Sequence, residues 1–289
     1  MQYLRGWRAL RQDPQWLGKV GIGSLLVLST MCIPIVGQIV LLGWFSLALR
    51  RAISGQEAPL PRLEFDINYL GKLLNTGFKP FITSFVWSLP MIGVIMSLYC
   101  CMGFAASLGA RAAGGGGSGM GIVALIVMGV GYLFMMATMI VSSLVRAVAV
   151  LRSEVSDDIN QGLRVKDVFA MLRMLVKELV LLSLFNSLLM FGFMFVAVFT
   201  LYIGVFPGAV VLGVIFTFQG AELYRIYLEK GGEPLPVGPL AVEGGDAPLV
   251  AAPGQAPPQQ PGYGAQPGYG PPQGGPPGGW GGPPPPAQF

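Results

Sequence analysis

Glu178 and Glu222 stand at either end of a long uncharged run, Leu179 to Ala221. A carboxylate inside a membrane is by default a candidate proton or cation relay. The competing reading is an ion pair at the membrane surface. Each acid lies about one turn from the end of the run, beside Lys177 and Arg225, and Glu222 can meet Arg225 at i,i+3. Gln38, Asn186 and Gln219 are the polar groups in or near apolar stretches. Hydrogen bonds between helices, about 0.6–2 kcal/mol each, account for them; a polar path for a substrate is the alternative. Glu154, Asp157 and Asp158 read as solvated charge near a helix start, and two adjacent aspartates point only weakly to a metal. The chain has no histidine, which removes the usual general base and the commonest nitrogen ligand. Cys32, Cys100 and Cys101 lie in apolar runs and read as small buried hydrophobes. No cofactor or metal is expected, and the chain reads as non-enzymatic.

The elements that hold these residues must be membrane helices. Of 289 residues, 53% are hydrophobic and only 11% charged, against about 25% charged in soluble domains. Val20–Leu49, Pro80–Ala110, Ala112–Val145 and Leu179–Ala221 carry no charge, and each reaches the roughly 20 residues needed to cross a bilayer core. Val20–Leu49 would be about 45 Å long as one helix. It contains MCIPIVGQ, where Pro34 breaks the helical ladder and Gly37 permits a turn. A tight hairpin over 15–33 and 36–53 is expected, with limbs short enough that it need not cross fully. Further spans are expected at 79–108, kinked at Pro90, and at 120–147, 177–203 and 207–229. A glycine loop at 112–120 joins the second pair. The fold class is therefore all-α: a polytopic membrane bundle of six spans arranged as three hairpins.

Charge orients it. Seventeen of the eighteen lysines and arginines fall on one side of this arrangement, Arg111 being the exception. Cytoplasmic loops carry the basic excess, so both termini are expected inside. The basic, aromatic N-terminus lacks a cleavage site and reads as a retained segment.

SGQEAPLP at 54–61 and KGGEPLP at 230–236 follow the ends of two apolar runs. At an offset of 175, Arg50 overlies Arg225 and Pro59-Leu60-Pro61 overlies Pro234-Leu235-Pro236. Arg146 holds a similar place. Such arginines are expected to reach lipid headgroups and to favour the helix C-terminus. The segments entering each hairpin carry apolar stripes opposite basic residues: Tyr3, Leu4, Trp7 and Leu10; Ile67, Leu70, Leu73 and Leu74; Val165, Val168, Phe169, Leu172, Leu175, Val176 and Leu179. They read as amphipathic helices on anionic lipid at the inner surface, with Asp13-Pro14 starting the first span.

LLGWFSLALRRAISGQEAPLPRLEFDINYLGKLLNTGFKPFI resembles the signature of a prokaryotic multi-pass membrane family described only as a domain of unknown function. The matching positions are Gly43, Arg50, Arg51, Gly55, Leu60, Pro61, Glu64, Phe65, Asp66, Gly77 and Lys79, and the resemblance covers residues 1–232. There is a looser similarity to the membrane domain attached to some glycerophosphodiester phosphodiesterases. It implies a prokaryotic inner-membrane location and no catalytic domain.

Two domains are expected: a membrane domain over 1–231, and a disordered cytoplasmic tail over 232–289 rich in proline and glycine. In the tail, Tyr263, Tyr269 and Trp280 are candidate contacts for a protein partner or for self-association. No nucleic-acid partner is expected. The leading functional reading is a membrane scaffold or adaptor; the alternative is a small-solute or lipid transporter or channel.

Overall fold

The computed structural model describes residues 3–113, 118–200 and 203–242; the tail positions Tyr263, Tyr269 and Trp280 lie outside them. The described residues form eight helices and no strand: α1 (Arg5–Gln12), α2 (Trp16–Ser29), α3 (Val36–Ile53), α4 (Ile67–Ala113), α5 (Ser118–Ser156), α6 (Ile159–Leu163), α7 (Val165–Phe199) and α8 (Val205–Glu229). Five of them, α3, α4, α5, α7 and α8, are long and apolar enough to cross a membrane.

The first expected span is the exception. α2 has 14 residues, about 21 Å of helix against a core about 30 Å thick. It stops early because Thr30, Met31 and Cys32 each donate back three residues, to Val27, Leu28 and Ser29. The tip then turns through Ile35 at φ 86°. Gly37 closes it: a Cβ there would lie 2.2 Å from the Leu26 carbonyl oxygen.

Two of the three expected surface helices are not separate elements. The stripes at 67–74 and 165–177 continue in phase into the apolar segments that follow. Tyr69, Leu73, Gly77, Pro80 and Thr83 are buried along α4, and Val168, Met171, Leu175, Leu179 and Leu182 along α7. An unbroken stripe at helical spacing makes one helix facing protein, not two elements meeting at a bilayer surface. α1 is separate, but it buries Gly6, Ala9 and Leu10. A Cβ on Gly6 would lie 2.8 Å from the Ile215 Cα of α8.

The packed base is centred on α3 and α8. Trp44 is wholly buried and donates through Nε1 to the Pro61 carbonyl at 3.0 Å. α3 crosses α4 backbone to backbone. A Cβ on Gly43 would sit 2.0 Å from the Leu73 oxygen, and one on Gly77 1.9 Å from the Ile39 oxygen. Small residues allow such close approach, as they do between membrane helices generally. Above this base project two apolar arms. From Ser84 to Leu144 no described residue is buried, nor is any from Ser183 to Val196. Cys32, Cys100 and Cys101 are free and exposed, not buried as expected. Exposed apolar residues surround them on the helices and tip that carry them, which is the environment lipid provides.

Candidate functional site at the charged end

α3 and α8 end in the same way. Gly55 and Gly231 both take φ 82°. Gln56 N–H donates to the Arg51 oxygen at 2.8 Å and Gly232 N–H to the Tyr227 oxygen at 2.9 Å. This is the left-handed C-terminal stop that favours glycine. In each Pro-Leu-Pro that follows, the leucine is buried and its N–H is bound by a side chain. Leu60 donates to Asp13 Oδ2 at 2.9 Å and Leu235 to the Tyr224 hydroxyl at 2.8 Å. The repeated punctuation therefore ends a helix and pins the outgoing chain to the base.

The arginines ahead of these stops diverge. Arg50 does not reach outward; its side chain is fully buried. Nε donates to the Glu154 oxygen at 2.6 Å, Nη1 to the Pro239 oxygen at 3.2 Å and Nη2 to Asp157 Oδ1 at 2.7 Å. A buried guanidinium is tolerated only where its donors and charge are matched. Asp157 also accepts from Lys79 at 2.5 Å, so this part of the acidic cluster is structural and not a solvated loop charge. Asp158 caps α6 through the Asn160 N–H at 2.9 Å. Arg225, by contrast, is exposed and donates to Glu229 at 3.0 Å, while Arg146 is exposed with Ser88 Oγ at 3.4 Å.

The chain after α8 is tied down past the expected boundary at 231. Gly238 N–H donates to the Val155 oxygen at 2.8 Å, and Arg51 Nε to the Leu240 oxygen at 3.0 Å. Residues 232–242 thus form a strap across the base.

The remaining candidates lie apart. Glu222 is buried, with Arg5 at 3.1 Å as its nearer partner and Arg225 at 4.0 Å. Arg5 also binds Glu57. That hydrogen bond holds the Glu57 carboxyl below its ordinary range and raises Arg5, each against an opposing push from burial. Glu178 pairs with Lys230 at 2.8 Å rather than with its neighbour Lys177. Gln219 is buried; Nε2 donates to the Tyr3 oxygen at 3.3 Å and Oε1 has no partner. Asn186 Oδ1 is likewise buried without one. Gln38 is exposed near the hairpin tip.

Sequence reasoning read Asp13 as the start of the first span and missed its tie to the loop after α3. Asp13 does not cap α2 directly, since that helix begins at Trp16. It accepts from Gln15 N–H at 2.8 Å, Lys19 Nζ at 2.6 Å and Leu60 N–H, joining the α1–α2 corner to the loop after α3. Asp13-Pro14 signalled a helix start, but Leu60, whose N–H Asp13 accepts, lies 47 residues away. Hollows flank these features among the described residues. A polar one of about 240 Å³ is lined by Arg5, Arg8, Ala9, Gln12, Glu57 and Arg225. A second, about 160 Å³, lies between Arg152, Asp167 and the strap. An apolar groove of about 570 Å³ lies between α2 and the α7–α8 turn. Among the described residues no group of three acids, cysteines or histidines is placed to hold a metal.

A family model described as a protein of unknown function, DUF4013, matches residues 26–218. No curated protein and no solved structure matches the chain, and a likeness to glycerophosphodiester phosphodiesterase membrane domains is not found.

Proposed function

The chain belongs to the DUF4013 family, and from that premise we propose that it is a non-enzymatic integral membrane scaffold. The observation that carries this reading is the pair of apolar arms, in which no described residue is buried over Ser84–Leu144 or Ser183–Val196. Surface of that kind is covered by lipid or by another membrane protein. The base, by contrast, satisfies its charges internally, as Arg50 and Lys19 do. The basic excess at the charged end supports an orientation with both termini cytoplasmic in a prokaryotic inner membrane. The short α2 makes the first hairpin the least complete of three. In this reading the tail is a cytoplasmic tether, with Tyr263, Tyr269 and Trp280 available to a partner or to another copy.

A transporter is the second reading. It is favoured by the unpartnered oxygens of Asn186 and Gln219 on the two helices of one hairpin. A photo-crosslinking residue at Leu133 or Leu188 separates the two in living cells. The scaffold reading expects a discrete protein adduct of reproducible mass from at least one arm. Adducts to lipid alone, from both positions, would remove it.

A further inference from the structure

Arg5, Arg8 and Gln12 lie one turn apart along a single face of α1, the spacing that aligns helical side chains. Arg225 of α8 and Glu57 of the loop after α3 complete the hollow they line. Its wall carries three guanidinium groups and one carboxylate. Arg5 gives one terminal nitrogen to Glu57 and the other to Glu222. Arg225 donates through Nε to Glu229, and its Nη1 stands 4.0 Å from Glu222, outside hydrogen-bond distance. The terminal donors of Arg225 therefore remain at the wall, Arg8 adds its charge there beside Glu57, and the planar fork of arginine suits an oxyanion. At about 240 Å³ the hollow is smaller than the roughly 300–1,000 Å³ of pockets that enclose a drug-sized ligand. It is several times the space of one water, which is the scale of a phosphate group. The same helix exposes Trp7, with Leu4 exposed just before the helix and Arg11 over the indole at 5.7 Å. Aromatic and basic residues of this kind gather at membrane interfaces.

We infer that the hollow between α1, the loop at Glu57 and α8 is a binding site for a phosphate group, carried by an anionic lipid headgroup or by a free phosphate. Arg8, Gln12 and Arg225 are the residues that hold it. Arg5 is a positioning residue whose charge is divided between Glu57 and Glu222. Glu57 places a negative charge in the same wall, opposes the anion and so sets the affinity.

The test titrates the full-length protein in neutral detergent with dioleoylphosphatidylglycerol and, separately, with inorganic phosphate, read by native mass spectrometry and thermal shift. Four forms are compared: wild type, R8Q/R225Q, E57Q and R173Q, the last removing an exposed arginine elsewhere. We expect one tight site in wild type and in R173Q, weakened about tenfold or more in R8Q/R225Q. E57Q should bind about three- to tenfold more tightly, because it removes the only carboxylate in the wall. Binding should fall with added salt. Saturation by the lipid without competition from phosphate identifies a headgroup; saturation by phosphate alone identifies a free anion. Failure of both probes to bind wild type, or equal binding by R8Q/R225Q and wild type, would overturn the site. Because E57Q shifts affinity the other way, general misfolding of variants cannot imitate the expected pattern.

Discussion

α3 and α4 cross each other, and α4 is the more apolar, with mean hydropathy 1.8 against 1.3. Yet two-thirds of the α3 apolar segment is buried within the protein and only 6% of that of α4. Hydropathy thus reports that a helix avoids water but not what it touches instead. What separates base from arm is backbone approach and matched charge. The base brings glycines against carbonyls and threads a guanidinium between two carbonyls and a carboxylate. The arms do neither. Between Ser84 and Leu144 the chain has one charged residue, Arg111, and a Cβ added at Gly93, Gly129 or Gly131 would meet nothing within 4 Å.

The largest expected contrast compares two arginines that occupy similar places in the sequence. Arg50→Leu should cost about 3–5 kcal/mol, because it strips a buried partner from Asp157 and two carbonyls. Arg146→Leu at the foot of the exposed arm should stay within about 0.5 kcal/mol. Thermal unfolding in a single detergent, followed by size-exclusion fluorescence, reads both. Equal losses would erase the distinction between base and arm.

Glycine substitutions give the next effect. Gly43→Ala and Gly77→Ala should each cost about 1–3 kcal/mol or more, since the methyl meets backbone oxygen that no rotamer change can move. Gly93→Ala and Gly129→Ala should be neutral or stabilising by about 0.5–1 kcal/mol through helix propensity. Expression level and melting temperature of the four variants test this together.

A smaller effect belongs to the strap. Truncation after Val242 should leave melting unchanged. Truncation after Pro236 removes the Gly238, Pro239 and Leu240 bonds and should lower stability by about 1–3 kcal/mol. Equal melting of the two truncations would show that the strap does not hold the base.

The smallest effect is titration. The folded Glu57 carboxyl lies below its unfolded range. Its stabilising contribution is therefore complete above about pH 4.3, the ordinary glutamate value, and is lost as pH falls through the depressed value. Glu57→Gln should flatten the acid limb of a stability–pH curve. An unchanged limb would assign acid loss to other carboxylates of the base.

Local signals made much of this legible. Pro34 and Gly37 located the first hairpin, and the two Gly/Pro-Leu-Pro stretches located two helix stops of matching geometry. What could not be read is what each stop's arginine does. Arg50, Arg146 and Arg225 follow apolar runs in much the same way, but burial depends on Glu154, Asp157 and Pro239, which lie between 104 and 189 residues away. Asp13 and the strap escaped for the same reason: their partners are distant in sequence. Two of the three expected surface helices, at 67–74 and 165–177, were misjudged as separate elements because a stripe that faces lipid headgroups and one that faces protein have the same period.

The claim that lipid or a membrane partner covers the arms, while the base is closed on itself, is tested most directly by spin-label accessibility in lipid nanodiscs. Labels would be placed singly at Leu133 and Leu188 on the arms, at Leu47 in α3 and at Arg62 in the loop after α3, on a cysteine-free background. The arm labels should collide readily with oxygen and poorly with a water-soluble nickel chelate. Arg62 should show the reverse, and Leu47, 1% exposed, should be immobile and shielded from both. High nickel accessibility at Leu133 and Leu188 would place the arms in water and contradict the account.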